Sequence, residues 1–120
     1  MKKIKIYIAS PYTNGDAAMN VKFQMEIADK LMDLGFFPFV PLYSHFQHMF
    51  RPRKYNEWLE VDYVWIAQCD GLIRFYPIQN GVVLDSKGAD LEEIEAKRLG
   101  IPIFYSIEEL VNYYKEKKED

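Results

Sequence analysis

The sequence predicts an α/β fold: a three-layer sandwich on a four- to five-stranded parallel sheet of Rossmann-like or flavodoxin-like type. Three observations predict it. Short β-forming runs alternate with longer amphipathic stretches in the order β-α-β-loop-α-β-α-β-α, and such alternation belongs to parallel sheets covered by helices on both sides. Right-handed crossovers then wind the sheet into a doubly covered sandwich. The 120 residues are 49% apolar and 16% aromatic, enough for a real core within one domain. No repeat or linker divides residues 1–120, and only the charged run at 115–120 is expected to fray.

The elements follow in order. Residues 4–9 alternate, with Ile4, Ile6 and Ile8 on one face and Tyr7 on the other, and read as a strand. The polar cluster at 10–16 ends it, and Asp16 is placed to cap the next helix. Residues 17–34 carry apolar side chains at 18, 21, 25, 28 and 32, one helical face, and Gly35 is its stop. Residues 36–40 form a short second strand, which Pro38 assigns to a sheet edge. Residues 41–56 read as a long connection rich in aromatic, His and Arg side chains, and loops of that length are functional or mobile.

Residues 57–69 read as a helix whose apolar stripe is Trp58, Val61, Trp65 and Cys69. Residues 72–76 form a largely apolar, central strand. Asn80-Gly81 is a strong turn signal, and 82–84 an extended excursion. A small-residue turn then opens a helix that runs to about Leu99 and stops at Gly100. Residues 101–105 form a fourth strand, and Ser106 with Glu109 is a capping box for the last helix, which turns Ile107, Leu110, Val111 and Tyr114 inward.

Two stretches carry chemistry. Asp85-Ser86-Lys87-Gly88 stands at a strand-to-helix junction, where free amides and the positive end of a helix dipole attract anions. Asp90, Glu92, Glu93 and Glu95 follow. On one reading Ser86, Lys87 and Gly88 hold an anionic or hydroxylated ligand while Glu92 acts on it. On the other, Ser86 is a helix cap and the acids only favour the N-terminus, by roughly 0.3–1 kcal/mol each. Asp62 falls inside the Trp58–Trp65 stripe, where burial would raise its pKa and suit it to acid–base work; the alternative is a rim carboxylate bonded to backbone. His45 and His48 admit three readings: a metal pair without a third ligand, a stacking or lid element over a ligand, or two surface histidines. Folds of this class bind ligands beyond the C-terminal strand ends, where the 10–16 turn, the 41–56 connection and the 86–88 turn all fall.

These features resemble the nucleoside 2-deoxyribosyltransferase superfamily, over most of the chain. The resemblance rests on Ile6-Tyr7-Ile8-Ala9-Ser10-Pro11, on Asp62 eight residues before Asp70 in a Cys-Asp pair, and on the pattern Ser86, Gly88, Glu92 and Ala96. It implies that Glu92 attacks the anomeric carbon of a nucleoside sugar, that Asp62 assists protonation of the departing base, and that Tyr7 orients the nucleophile. Physics favours that division of labour, with an ionised Glu92 at a helix N-terminus and a protonated Asp62 against tryptophans. Ser86 resembles the branch that cleaves nucleoside 5′-monophosphates, since the transferases carry an Asp there, which would repel a phosphate. Ser10 and Asn14 are further phosphate or sugar contacts, with Arg51 or Arg53 in reach of the phosphate. The segment 77–85 is longer than the resemblance leads one to expect. Without the resemblance, Glu92, Glu93 and Glu95 are not distinguishable.

The resemblance also implies a homo-oligomer, because relatives complete each site with a neighbour's residues. The implied chemistry needs no cofactor and no metal. The net charge of −3 argues against a nucleic-acid polymer as partner. The short apolar run behind Lys2 and Lys3 is no signal peptide, no run reaches transmembrane length, and the cytoplasm is the expected compartment. Cys69, the lone cysteine, is expected to be a buried, inert thiol. A non-catalytic nucleotide-binding protein remains a competing expectation, and an FMN-binding flavodoxin-like protein a weaker one.

Overall fold

The computed structural model describes residues 2–119, with side chains through residue 116. The elements are β1 (Lys5–Ala9), α1 (Ala17–Asp33), β2 (Phe37–Phe39), a 3-10 turn (Pro41–Tyr43), α2 (Ser44–Phe50), α3 (Tyr55–Ile66), β3 (Gly71–Arg74), β4 (Ile78–Gln79), β5 (Val82–Val83), α4 (Lys87–Arg98), β6 (Ile103–Phe104) and α5 (Ile107–Glu119). The expected charged tail lies partly outside the described residues.

Four strands form one parallel sheet in the order β2-β1-β3-β6. Residue alternation on β1 sorts the core into two layers. Ile6 and Ile8 face α1 and α5, packing with Ile27, Leu31 and Leu110. Tyr7 and Ala9 face α3 and α4, packing with Ile66, Ala89 and Ala96. The expected sandwich is therefore present, with four strands, and β2 at its edge as Pro38 requires. The chain leaves β1 in one direction to β2 and enters β3 on the other side, so a crevice opens beyond the carboxyl ends of β1 and β3.

Local chemistry sets the elements that flank this crevice. The 41–56 connection is mostly helical rather than a loop. Residues 44–50 contain neither Gly nor Pro and form α2, which ends where Pro52 forces Arg51 into an extended conformation, φ −146° and ψ 102°. Helix α3 starts at Tyr55, two residues early, where the Glu57 carboxylate accepts the Lys54 amide at 3.1 Å. Its inner face is not the expected tryptophan stripe. Ile66 is its buried residue, Asp62 and Tyr63 are half-buried, and Val61 and Trp65 are exposed.

The buried face of α1 is likewise rotated from the expected one. Met25 and Met32 are exposed, while Asn20 and Gln24 are buried. The reason is polar satisfaction. Gln24 donates to the Ile8 carbonyl and Ser10 Oγ and accepts the Leu42 amide. Asn20 donates to the carbonyls of Tyr12 and Asn14. These two side chains tie the turn after β1 to the segment after β2.

The segment 78–83 is an antiparallel hairpin rather than a simple excursion. Asn80 and Gly81 both have positive φ, 50° and 76°, as a tight two-residue hairpin turn requires. Gln79 anchors the hairpin to α1 by accepting the Asp16 amide and donating to Asn20 Oδ1. Among the described residues no helix is long and apolar enough to cross a membrane.

Candidate functional site

A cavity of about 770 Å³ opens beyond β1, walled by α2, α3 and the start of α4. Ser86 caps α4, its Oγ accepting the Ala89 amide at 3.1 Å. The amides of Lys87 and Gly88 precede the first intrahelical bonds, so the helix presents them and its positive dipole end to the cavity. Gly88 leaves room for a neighbour: a Cβ there would lie 3.1 Å from the Tyr55 hydroxyl, which crosses over this turn. Lys87 and Arg53 line the same cavity, with Asp85 beside them.

Glu92 stands one helical turn beyond Gly88 on the same face, a rise of about 6 Å. It is 6% exposed and lines the cavity. The fully buried Tyr7 hydroxyl donates a hydrogen bond to Glu92 Oε2. Asp62, from α3, lines the same cavity, close enough to Glu92 and Tyr7 for the charges to act on one another. Burial pushes the Asp62 carboxyl up to about 6, opposed by the neighbouring Glu92 and Tyr7. Burial, reinforced by the Asp62 charge, raises Glu92 well above the usual carboxylate range. Two carboxyls this close cannot both ionise easily, and around neutral pH they are suited to share a proton. Burial likewise keeps the Tyr7 phenol protonated, far above its ordinary pKa.

This corrects the expectation that Glu92 ionises readily. With Ser86 as cap, Glu92 is the sixth helical residue, beyond the first turn where the dipole acts. Desolvation and the Asp62 charge therefore decide its proton. Of the two tryptophans, Trp65 stacks on Phe39 at 4.9 Å and is half in solvent, while Trp58 lines the cavity together with Asp62.

The structure separates the three glutamates that sequence reading alone left equivalent. Glu92 faces the cavity, Glu93 faces Arg74 and Tyr105, and Glu95 pairs with Arg98 at the surface. Of the other candidates, Ser86, Lys87, Gly88, Ser10 and Asn14 line the cavity. Ser10 Oγ accepts from Gln24, and Asn14 Nδ2 is spent on the Asp85 carbonyl at 2.7 Å, so Asn14 braces the two loops. His45 is held behind Tyr12, bonded to its hydroxyl, and the histidine that lines the cavity is His48.

His48 Nδ1 accepts both the Trp58 indole N–H at 2.9 Å and the Arg53 amide at 3.2 Å. A neutral His48 therefore carries its proton on Nε2. Trp58, Leu59, Pro41 and Leu42 make the apolar wall beside it. Sequence reading put Arg53 in reach of the phosphate and left His48 open between metal, lid and surface, while Tyr55 had no role within the 41–56 connection. The signal that could have found them is the break at Pro52, which separates two short helices. Cys69 stays outside the site, its thiol pushed up to about 11 by burial.

Among the described residues no group of three or more His, Cys, Asp and Glu side chains is placed to hold a metal ion. No curated protein matches the chain. A family model described as a domain of unknown function, DUF7768, matches residues 4–106, a span that includes Tyr7, Asp62, the Ser86–Gly88 turn and Glu92. The chain belongs to the DUF7768 family.

Proposed function

We propose that this protein cleaves the N-glycosidic bond of a nucleoside 5′-monophosphate, 2′-deoxy by preference, with Glu92 as nucleophile and Asp62 as proton donor. The observation that carries this reading is the buried Tyr7–Glu92–Asp62 cluster one helical turn from the α4 N-terminus, within one cavity. The resemblance to the nucleoside 2-deoxyribosyltransferase superfamily adds to it. The first amides of α4, with Lys87 and Arg53, suit a phosphate. The Trp58 wall suits a base, and the rise of about 6 Å from Gly88 to Glu92 is about the length of a pentose.

In the reactive form the shared proton lies on Asp62 and Glu92 is ionised. Glu92 attacks C1′ as the C1′–N bond breaks. The electron pair of that bond leaves with the base, which takes the Asp62 proton. Glu92 is then an ester of the sugar and Asp62 a carboxylate. Water, giving its proton to Asp62, attacks C1′ and releases Glu92 as a carboxylate. One water is consumed per base released, and the negative charge of Glu92 stabilises the positive charge that develops on the sugar. The Tyr7 hydroxyl holds Glu92 in place throughout. The steps require neither cofactor nor metal.

A second reading has an observation of its own. Asp85 lines the cavity next to Ser86, and a carboxylate there suits the 5′-hydroxyl of a free nucleoside better than a phosphate. That reading is a nucleoside 2-deoxyribosyltransferase, in which a second base replaces water. The test is chromatographic: a panel of nucleosides and 5′-monophosphates, ribo and deoxy, with and without an acceptor base. Base released from monophosphates alone supports the glycosidase, and exchange on free nucleosides supports the transferase. No release with nucleotide still bound would leave a non-catalytic binding protein.

The reading includes a homodimer and a cytoplasmic nucleotide pool as the substrate source. Phe46, Met49 and Phe50 on α2 and Val61, Val64 and Trp65 on α3 are exposed, with Phe50 89% so. Apolar surface of that kind marks a contact face, which this reading assigns to a second copy of the chain. A monomer by light scattering at micromolar concentration would contradict it.

A further inference from the structure

We propose that Arg74 is a positioning residue for Glu92: it locks the rotation of α4 and supplies the positive charge behind the acidic pair. The proposal deepens the reading above, since it gives Glu92 a support outside the cavity. Arg74 ends β3 and is fully buried. A buried guanidinium needs a reason, because taking its charge out of water is costly unless it is paired.

The pairing is all with α4. Arg74 Nη1 donates to Asp90 Oδ1 at 2.8 Å and to Glu93 Oε2 at 3.3 Å. These residues lie three apart, on one helix face. Holding both fixes α4 about its own axis, which turns the neighbouring Glu92 toward Tyr7 and Asp62. The Tyr105 hydroxyl closes the cluster on the other oxygen of Glu93, and the guanidinium carbon lies 4.3 Å from the centre of the Tyr76 ring. Arg74 Nε and Nη2 have no hydrogen-bond partner among the described residues, so the cation is not fully spent on its two acids.

The groups around Glu92 give the charge its effect. Tyr7 reaches it from β1, Asp62 from α3, and the Arg74 charge acts from β3. Tyr55 and Tyr63 of α3 also feel the Glu92 charge. Burial and Asp62 hold a proton on Glu92, whereas Tyr7 and Arg74 favour its release. A nucleophile this deeply buried needs such a counterweight to ionise at all.

The test is the Glu92 carboxyl titration, read by carbon NMR in wild type, Arg74→Met, Arg74→Lys and Asp90→Asn. Arg74→Met is expected to move it to higher pH. Asp90→Asn, at a half-exposed position, leaves the cation less compensated and is expected to move it to lower pH. Arg74→Lys keeps the charge and is expected to stay near wild type. Opposite shifts in Met and Asn variants support the proposal; shifts of one sign, or none, overturn it. If Arg74→Met does not fold, the Asp90→Asn shift decides by its presence or absence. On a substrate that the wild type turns over, Arg74→Lys should lower kcat roughly 100-fold with KM little changed, because a small misplacement of a reacting group has that effect. A wild type inactive on every nucleoside and nucleotide would refute the proposed reaction, while the titration would still judge Arg74.

Discussion

Replacing Asp62 by Asn should make the protein more stable at pH 8 and leave its stability nearly unchanged at pH 4. The folded protein holds a proton on Asp62 up to about pH 6, against an ordinary value of 3.8. Between those values the unfolded chain has released a proton that the folded chain retains. The folded state therefore binds more protons, and stability falls as pH rises from about 4 through 6. The shift is roughly two units, and each is worth about 1.36 kcal/mol, which sets a ceiling of about 3 kcal/mol. Asp62 meets cavity water, so screening trims the expected gain to about 2 kcal/mol. Asn also removes the like charge that raises Glu92, which acts in the same direction. Paired urea or thermal melts of wild type and Asp62→Asn, at pH 4 and pH 8, measure the difference directly. It should grow with pH and reach about 8 °C in Tm. A difference that is constant with pH, or a variant less stable at pH 8, would refute the assignment of a protonated, desolvated pair.

Glu92→Ala should abolish base release, at least 1000-fold, with little loss of stability, since it deletes a buried carboxyl; kinetics beside a melting curve check both. Asp62→Asn should reduce turnover about 100- to 10,000-fold, most for bases that leave poorly, which a substrate series reveals. Ser86→Asp should weaken monophosphate binding while sparing free nucleosides, measured by calorimetry with both ligands, and equal affinities would move the phosphate away from the α4 turn. Gly88→Ala should raise KM and leave Tm nearly unchanged, checked by kinetics beside a melting curve, because its Cβ meets the Tyr55 hydroxyl over the cavity rather than a core side chain.

Most of the fold was legible because period and punctuation agree along the chain. Ile6 and Ile8 against Tyr7, Pro38 at the edge and Asn80-Gly81 each report a local rule that the tertiary structure keeps; Ser106 Oγ accepts the Glu109 amide as a cap, while the Glu109 carboxylate takes the Tyr105 amide in place of the expected Ser106 amide. Periodicity misled where burial was polar. Asn20 and Gln24 occupy the inner face of α1 because they satisfy backbone groups of two loops, a long-range demand no local pattern announces. On α3 the two tryptophans drew the stripe to the wrong side, because a large apolar residue can stack at the surface, as Trp65 does on Phe39.

The candidate site was legible as residue types and not as a charge state. The Ser86–Gly88 turn stands out in one dimension, but Glu92 is set apart from Glu93 and Glu95 only by the fold, and its proton depends on Asp62, Tyr7 and Arg74 from three other elements. Arg74 itself gave no sign, because an arginine inside an apolar strand declares its partners only when Asp90 and Glu93 are brought alongside.

The central claim is that Glu92 becomes covalently bonded to the sugar. The measurement is peptide mass spectrometry after acid quench during turnover of a 5′-monophosphate, with a 2′-fluoro analogue to slow release of the ester. The peptide containing Glu92 should gain the mass of one sugar phosphate residue, and Glu92→Ala should gain none. Base release with no modified peptide, or the modification on Glu93 or Asp62 instead, would contradict it.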